Sequence, residues 1–140
     1  NGQFADQNLN PSENFYLGCM DGVRAYPSGE ANGSSGGLLS VELRKQLHVQ
    51  WEASAFYDGG QVELYRHNRA PGSSIALVAD NHVALQGAGL SLGWRGSRRI
   101  QLKATWARRI GSNPLATPSG TDTDGSRLAN RFWFNAAISF

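Results

Sequence analysis

The chain has 140 residues, 17 of them glycine, with a charged fraction of 17% and a net charge of +2. This length suffices for one modest domain, and many glycines with few charges are typical of short strands joined by turns. The sequence excludes a membrane-spanning helix, which needs about 18 consecutive apolar residues, and it excludes intrachain disulfides and cysteine-based metal sites, because Cys19 is the only cysteine.

The first long connection of the chain holds one cation and one anion among turn-forming residues. Residues 1–14 are polar and turn-rich, residues 15–18 predict a short strand, and Arg24 and Glu30 follow. Composition alone favours an ordinary surface turn, because most loop arginines are solvated, and it leaves open an arginine held against another part of the protein. Residues 31–37 are rich in glycine and serine and predict a flexible stretch, so we expect this connection to move.

Leu39 begins a strict alternation of apolar and polar residues that predicts two strands, over residues 39–46 and 49–58. Only a few residues separate the two strands, so they are expected to form an antiparallel hairpin. The apolar face would meet a core in a soluble protein and lipid in a membrane barrel, whose polar face lines a wet interior. Asp58 falls on the polar face by parity, although an Asp-Gly dipeptide is also common in turns.

The second half of the chain predicts three more strands, separated by connections of unequal length. Residues 59–82 lead into an exposed loop, and alternation resumes over residues 90–95, 100–107 and 132–140. Residues 111–130 are rich in glycine, proline, serine and threonine and predict an exposed, mobile loop. Short connections therefore alternate with long ones, as they do in outer-membrane barrels.

Other features bear on membrane, metal and enzyme classes. Trp94 and Trp133 lie near strand ends, as in the aromatic girdles at membrane interfaces. Residues 122–125 resemble part of a calcium loop but lack its later bidentate glutamate, and the histidines are scattered singly, so no metal site is predicted. The sequence contains no nucleophile elbow or phosphate loop, which argues against an enzyme and a cofactor. Its slight, dispersed charge argues against nucleic-acid binding.

Three motifs, in the same order along the chain, resemble those of a known family. Residues 23–30 read Val-Arg-Ala-Tyr-Pro-Ser-Gly-Glu, residues 56–60 fit a Phe-x-Asp-x-Gly strand motif, and the chain ends in an aromatic strand. Together they resemble the haemolysin-activator branch of the outer-membrane assembly-factor superfamily, the transporters of two-partner secretion. The matching loop and strand positions are Val23, Arg24, Tyr26, Gly29, Glu30, Phe56, Asp58 and Gly60. The positions that match a C-terminal barrel signal are Phe132, Phe134 and Phe140.

The resemblance implies an all-β fold, the C-terminal antiparallel strands of a transmembrane β-barrel in the outer membrane of a Gram-negative bacterium. Residues 15–37 would form the signature lumenal loop and residues 38–140 five strands, with residues 15–18 as a sixth. The chain starts at Asn1 without an initiating methionine or a signal peptide, so we expect a fragment of a longer protein. The missing part would hold further strands and periplasmic polypeptide-transport-associated (POTRA) domains.

The resemblance also implies a function without bond chemistry: the barrel secretes a partner exoprotein of the haemolysin or adhesin type. Arg24 would pair with Asp58 and hold the loop inside the barrel, with Tyr26 packing the loop and Glu30 making a further lumenal contact. The implied partners are the exoprotein, outer-membrane lipid and the barrel-assembly machinery that inserts the protein. Two alternatives stay open, an insertase that folds other barrels and a soluble β-sheet binding domain. Ala25 favours the secretion branch over the insertase branch, which usually has glycine there.

Overall fold

A computed structural model describes residues 2–3, 15–33, 35–63, 82–97 and 100–138. The regular structure of these residues is all β. Its eight strands are β1 (Gly2–Gln3), β2 (Phe15–Tyr16), β3 (Asn32–Gly33), β4 (Ser35–His48), β5 (Trp51–Glu63), β6 (His82–Ser97), β7 (Ile100–Arg109) and β8 (Asn130–Ile138). Within these ranges, no helix has the length and apolar character needed to cross a membrane.

Six of the strands form one sheet in the order β1-β4-β5-β6-β7-β8. Each neighbouring pair is antiparallel, and from β4 onward sequence neighbours are also sheet neighbours. The predicted hairpin is confirmed, with Leu43 opposite Ala55 and a tight connection at residues 49–50. The antiparallel all-β prediction is therefore confirmed for the described part of the chain.

β6 begins at His82, eight residues before the strand that the alternation predicts. The reason is a change of phase along the strand. Val83 and Leu85 point to the inner face and are buried, whereas Leu90 and Leu92 point to the outer face and are 55% and 43% exposed. Because the apolar residues change faces within β6, a single alternating pattern does not run through it, and the sequence signal starts only where the outer-face pattern does.

The two faces of the sheet differ in what covers them. The outer face is apolar and uncovered, with Leu43 77% and Phe134 80% exposed. The inner face is covered by residues 17–31, which we call the inner loop. A buried apolar cluster lies between this loop and the sheet; its members include Leu17, Val23, Ala25, Tyr26, Phe56, Val62, Val83, Leu85 and Ala107. The core of the described structure is thus a loop packed on one face of a sheet.

Residues 15–18 do not supply a sixth strand of the main sheet, and that expectation was wrong. β2 pairs with β3 in a separate two-stranded sheet, and the short β1 takes the place beside β4. The amide groups of Leu17 and Gly18 donate to the carbonyl oxygens of Ala31 and Glu30, at 3.1 and 2.9 Å. Because these donors bond within the loop, residues 15–18 form its stem and cannot extend the sheet.

Two of the three glycines of residues 31–37 serve close packing within strands, so the prediction of a flexible linker was also wrong. Gly33 lies in β3, and a β-carbon there would stand 2.1 Å from the carbonyl oxygen of Glu63. Gly36 lies in β4, and a β-carbon there would stand 2.6 Å from a ring carbon of Phe15. Both distances are far inside van der Waals contact, so these positions need glycine because neighbouring chain segments approach so closely.

Candidate functional site

The inner loop is an ordered sequence of turns. The Val23 amide donates to the Leu17 carbonyl oxygen at 2.7 Å, and the Tyr26 amide donates to that of Val23 at 3.1 Å. Gly29 has a φ of 89°, a left-handed conformation that other residues rarely adopt. Val23 and Tyr26 are fully buried against the sheet. The turns therefore aim the side chain of Arg24 at the inner face of the sheet.

Arg24 makes a bidentate ion pair with Asp58 of β5. Its Nε donates to Oδ2 at 2.8 Å and its Nη2 donates to Oδ1 at 2.8 Å, while its backbone amide donates to Oδ2 at 3.2 Å. Arg24 is 7% exposed and Asp58 is fully buried. The contact that the sequence predicts between these two residues is present, and its parallel donors fix both the position and the orientation of the loop.

Adjacent residue pairs of β4 and β5 complete the surroundings of the guanidinium group. Ser40 stands opposite Asp58, and Glu42 stands opposite Phe56. The Ser40 hydroxyl donates to Asp58 Oδ1 at 2.6 Å, Arg24 Nη1 donates to Glu42 Oε2 at 3.2 Å, and the Phe56 ring centre lies 3.3 Å from Arg24 Cζ. The four side chains form one square on the inner face, which combines ionic, hydrogen-bond and cation–π contacts.

Burial disfavours the charged form of Arg24, but hydrogen bonds from the guanidinium and the charges of Asp58 and Glu42 outweigh this effect. The pKa of Arg24 is therefore raised above its ordinary value, and the group stays positively charged at any physiological pH. Sequence reasoning missed Ser40 and Glu42 as partners. Their place on the polar face of the predicted strand was the available signal.

Trp133 contacts the loop, so the proposed place in an aromatic girdle was wrong. It lies on the inner face of β8, and its Nε1 donates to the backbone carbonyl oxygen of Arg24 at 2.8 Å. Trp94, the other tryptophan of that prediction, packs near Trp51, with ring centres 6.4 Å apart. The Trp133 indole thus binds the backbone of Arg24, whereas Asp58 binds the Arg24 side chain. Arg24 is thus held by residues of two different strands, β5 and β8.

Two other motif residues, Gly60 and Tyr26, lie in the contact between the inner loop and the sheet. A β-carbon at Gly60 would stand 2.4 Å from Leu17 Cδ2, so glycine at this position lets the loop stem approach the sheet. The Tyr26 ring centre lies 4.8 Å from Arg109 Cζ. Burial of the phenol raises the pKa of Tyr26 above its ordinary value, because the ionised form would be desolvated.

Glu30 contacts the β7–β8 loop, residues 110–129. Its carboxylate accepts from Asn113 Nδ2 at 2.7 Å and from the Thr123 amide at 2.9 Å. Asn113 is 7% exposed and Asp122 2% exposed. The prediction that this loop is simply exposed was therefore wrong at these positions, because carboxylate and amide groups need each other as partners once they are buried.

Asp122 and Asp124 of this loop bind arginines from the sheet. Arg109 and Arg131 both donate to Asp122 Oδ2, the latter at 3.2 Å, and Arg131 donates to Asp124 Oδ2 at 2.9 Å. The hydrogen bond from Arg131 lowers the pKa of Asp124 to about 2. The carboxylates of the segment that resembles a calcium loop are therefore paired with guanidinium groups. Across the described ranges, no group of three or more His, Cys, Asp or Glu side chains is arranged to hold a metal ion.

Beside Arg24 lies a cavity of about 390 Å³ with a mixed polar and apolar lining, at the end of the sheet where the short turns are. Its lining includes Asp21, Glu52, Arg95 and Lys103, which mix both signs of charge. Two of the three residues of the expected C-terminal signal, Phe132 and Phe134, lie on the outer face and are 65% and 80% exposed. Phe140 lies outside the described residues.

These features define an antiparallel β protein whose sheet has a bare apolar face and a second face that carries a loop anchored by a buried arginine. Over its whole length the chain is 37% identical to the heme/hemopexin transporter protein HuxB of Haemophilus influenzae strain 86-028NP, in an alignment of 146 residues that covers 23% of that protein. A HuxB from Haemophilus influenzae strain Rd is 36% identical over 108 residues, which cover 73% of this chain and 18% of that protein. The chain thus spans less than a quarter of the length of these relatives.

Both relatives are named as transporters and neither as an enzyme. No family model matches the chain, and no solved structure matches it significantly. The similarity therefore connects the chain to part of a transport protein.

Proposed function

We propose that the described sheet is part of the wall of an outer-membrane β-barrel and that the whole protein secretes a partner exoprotein in two-partner secretion. Two features support the wall. The outer face is apolar and exposed along every long strand, and the inner face carries buried polar groups such as Ser54, Ser91 and Thr105. This distribution is that of a barrel, with lipid outside and a polar interior. Similarity to HuxB over the whole chain supports transport.

The observation that carries the proposal is the buried bidentate pair between Arg24 and Asp58. An exposed ion pair contributes about 0–1 kcal/mol, whereas removal of one partner from a buried pair costs about 3–5 kcal/mol. Loss of Arg24 would leave Asp58 as an uncompensated buried charge, so the pair couples the position of the inner loop to the sheet. Arg24 therefore keeps the inner loop in the position in which the barrel is competent to transport, and transport requires no bond to be made or broken.

The cargo in this proposal is an unfolded exoprotein that passes beside the anchored loop. The cavity next to Arg24 offers both signs of charge and amide groups, which suits contacts with a polypeptide of mixed sequence. The name of the relatives directs the search for the cargo to an exoprotein concerned with heme or hemopexin. An exoprotein of the haemolysin or adhesin type is the alternative cargo. Outer-membrane lipid and the barrel-assembly machinery are the further partners in this proposal.

The proposal predicts that Arg24→Ala in the full-length protein abolishes secretion of the partner exoprotein while the barrel stays in the outer membrane. The matched control is Arg44→Ala, because the Arg44 side chain is 62% exposed and pairs with the same Glu42. Secretion is measured as exoprotein in the culture medium, and membrane insertion as heat-modifiable mobility in electrophoresis. Normal secretion by Arg24→Ala would contradict the role of the anchored loop.

A charge exchange tests the pair itself. Arg24→Asp and Asp58→Arg each place like charges together in a buried site, so each should abolish secretion, and the double exchange should restore part of it. Partial rescue would require that the two side chains meet in the working protein. Loss of secretion in all three variants, with intact barrels, would mean that the orientation of the pair matters more than its charge. Normal secretion in both single variants would exclude the pair from transport.

Two other functions make different predictions. In an insertase, loss of the protein would deplete other outer-membrane barrels, whereas loss of a secretion transporter depletes one exoprotein from the medium. In a soluble β-sheet domain, the outer face would be expected to carry polar residues. The exposure of Leu39, Leu43 and Phe134, at 64%, 77% and 80%, favours the membrane protein.

A further inference from the structure

The inner loop is held at a second place besides Arg24. Glu30 is fully buried, and the hydrogen bonds to its two carboxylate oxygens come from Asn113 and Thr123 of the β7–β8 loop. These contacts join residues 83 and 93 positions apart in the sequence. A buried carboxylate that loses its donors is left without compensation for its lost hydration. Separation of the inner loop from the β7–β8 loop would therefore remove these donors from the Glu30 carboxylate.

Asn113 links the two loops by hydrogen bonds. Its Nδ2 donates to Glu30 Oε1 at 2.7 Å and to Asp122 Oδ1 at 2.9 Å, and its Oδ1 accepts from the Leu115 amide at 2.9 Å. An amide group can donate to two carboxylates at once, whereas a carboxylate at this position would add a third negative charge. The arrangement therefore requires an amide at residue 113 and fixes its orientation.

Asp122 connects Asn113 to the sheet. It accepts from Arg109 at the end of β7 and from Arg131 near the start of β8, the two strands that the loop connects. Both arginines are also held elsewhere, Arg109 by the Leu128 carbonyl oxygen at 3.0 Å and Arg131 by Asp124 at 2.9 Å. A continuous path of hydrogen bonds thus runs from the sheet through Asp122 and Asn113 to the inner loop.

We propose that Asn113 and Asp122 make the β7–β8 loop a clasp, which holds the inner loop through Glu30 independently of the Arg24–Asp58 pair. Its importance for export rests on the function proposed above. The two anchors lie on different strand pairs of the sheet. Asp58 sits opposite Ser40 within the β4–β5 ladder, whereas the clasp lies where the long connection between β7 and β8 leaves the sheet. The inner loop is released only when both anchors open, and Glu30, Asn113 and Asp122 are positioning residues.

Hydrogen exchange of the full-length protein in detergent tests the clasp. Asn113→Leu keeps the volume of the side chain and removes its donors, so amide exchange in residues 17–31 should rise about tenfold or more, as expected for loss of donors to a buried charge. Exchange in β5 should stay as in the wild type, because the main sheet does not depend on Asn113. Asn130→Leu, the same change at an exposed residue, should leave both segments unchanged.

Glu30→Gln provides a second variant if Asn113→Leu does not fold. It keeps the shape of the side chain, but its new amide nitrogen is a donor and would face one of the two donors that bind Glu30. Exchange in residues 17–31 should therefore rise again. Wild-type exchange in this segment in either folded variant would overturn the clasp. An equal rise in β5 would also overturn it, because the residue would then support the whole sheet rather than position the loop.

Secretion by the same variants separates this proposal from the proposed function. Faster exchange of residues 17–31 supports the clasp whatever the export result. If that faster exchange comes with normal secretion, the clasp stands and the requirement for an anchored inner loop in export fails. If the exchange is unchanged while Arg24→Ala still blocks secretion, the proposed function stands and the clasp fails.

Discussion

Asp58 shows at the level of one residue how a carboxylate becomes a structural anchor. It has no exposed surface, and it accepts from two groups of the Arg24 guanidinium, from the Arg24 amide and from the Ser40 hydroxyl. Each oxygen therefore has donors that replace its hydration. A conservative change such as Arg24→Lys would retain the charge but lose the parallel donors, so it is not equivalent here.

Tyr26 gives a prediction of pH dependence. Burial raises the pKa of its phenol above the ordinary value of 10.0. An acid whose pKa is raised by folding contributes stability that is fully present below about pH 10 and is lost as the pH rises through the folded-state pKa. The free energy of unfolding of the wild type should therefore fall more between about pH 10 and pH 12 than that of Tyr26→Phe, which has no phenol to ionise.

The measurement is the unfolding temperature of the full-length barrel in detergent at several alkaline pH values, read from its heat-modifiable mobility. Tyr26→Phe keeps the ring and its contact with Arg109, so the two proteins should match at neutral pH to within about 1.5 kcal/mol. Identical alkaline losses in both proteins would mean that Tyr26 is accessible to water and that the inner loop does not stay closed in solution.

At the scale of elements, the inner loop and the sheet fit together because glycines allow close contact. Gly60 and Gly37 lie on the neighbouring strands β5 and β4 but differ in surroundings. A β-carbon at Gly60 would stand 2.4 Å from Leu17 and 3.0 Å from the Gly37 carbonyl oxygen, whereas a β-carbon at Gly37 would meet nothing within 4 Å. A comparison of the same substitution at these two positions therefore separates the effect of contact with the loop from the effect on strand propensity.

We predict that Gly60→Val in the full-length protein displaces the stem of the inner loop and reduces secretion, because the added side chain overlaps Leu17. Overpacking of this kind costs about 1–3 kcal/mol. Gly37→Val adds the same β-branched side chain to a strand in open space and should secrete normally. Both variants are compared for membrane insertion and for protease sensitivity of residues 17–31. Equal secretion by the two variants would contradict the close contact at Gly60.

The strands themselves were predictable wherever one alternating pattern persisted. Between Leu39 and Asp58 most outer residues are apolar and most inner ones polar, apart from Phe56, so the hairpin and the face of Asp58 could be deduced from parity alone. In β6 the pattern reverses after Leu85, because the inner loop supplies an apolar surface there. Which face of a strand is apolar thus depends on the segment that packs against it. When that segment is distant in the sequence, the local pattern of the strand does not reveal it.

At the scale of the whole molecule, the described sheet leaves apolar surface and strand edges uncovered. β8 pairs with β7 on one side and with no other described strand, and the outer face is exposed from Leu39 in β4 to Ile138 in β8. Exposed apolar faces and unpaired edges lead to association in water. In the proposed barrel, lipid would cover this face and further strands would pair with this edge.

We therefore predict that the 140-residue chain, expressed alone, aggregates in detergent-free buffer and becomes dispersed only in detergent micelles. Size-exclusion chromatography with light scattering, with and without detergent, measures the difference. A monodisperse monomer with β circular dichroism in plain buffer would contradict the membrane wall and favour a soluble β-sheet domain. The detergent sample serves as the control, because it shows that the same chain can be kept in solution.

The sequence by itself determined the antiparallel strands and their apolar and polar faces, since these follow from a period of two, and the resemblance of its motif residues to a known family implied the pairing of Arg24 with Asp58. Only the tertiary structure decided what the loops do. Glycines that suggest flexibility turned out to permit close packing at Gly33 and Gly36, and a polar loop turned out to bury Asn113 and Asp122 against Glu30. The physical reason is that close approach and burial are properties of two segments at once, and segments 83 residues apart leave no common local pattern.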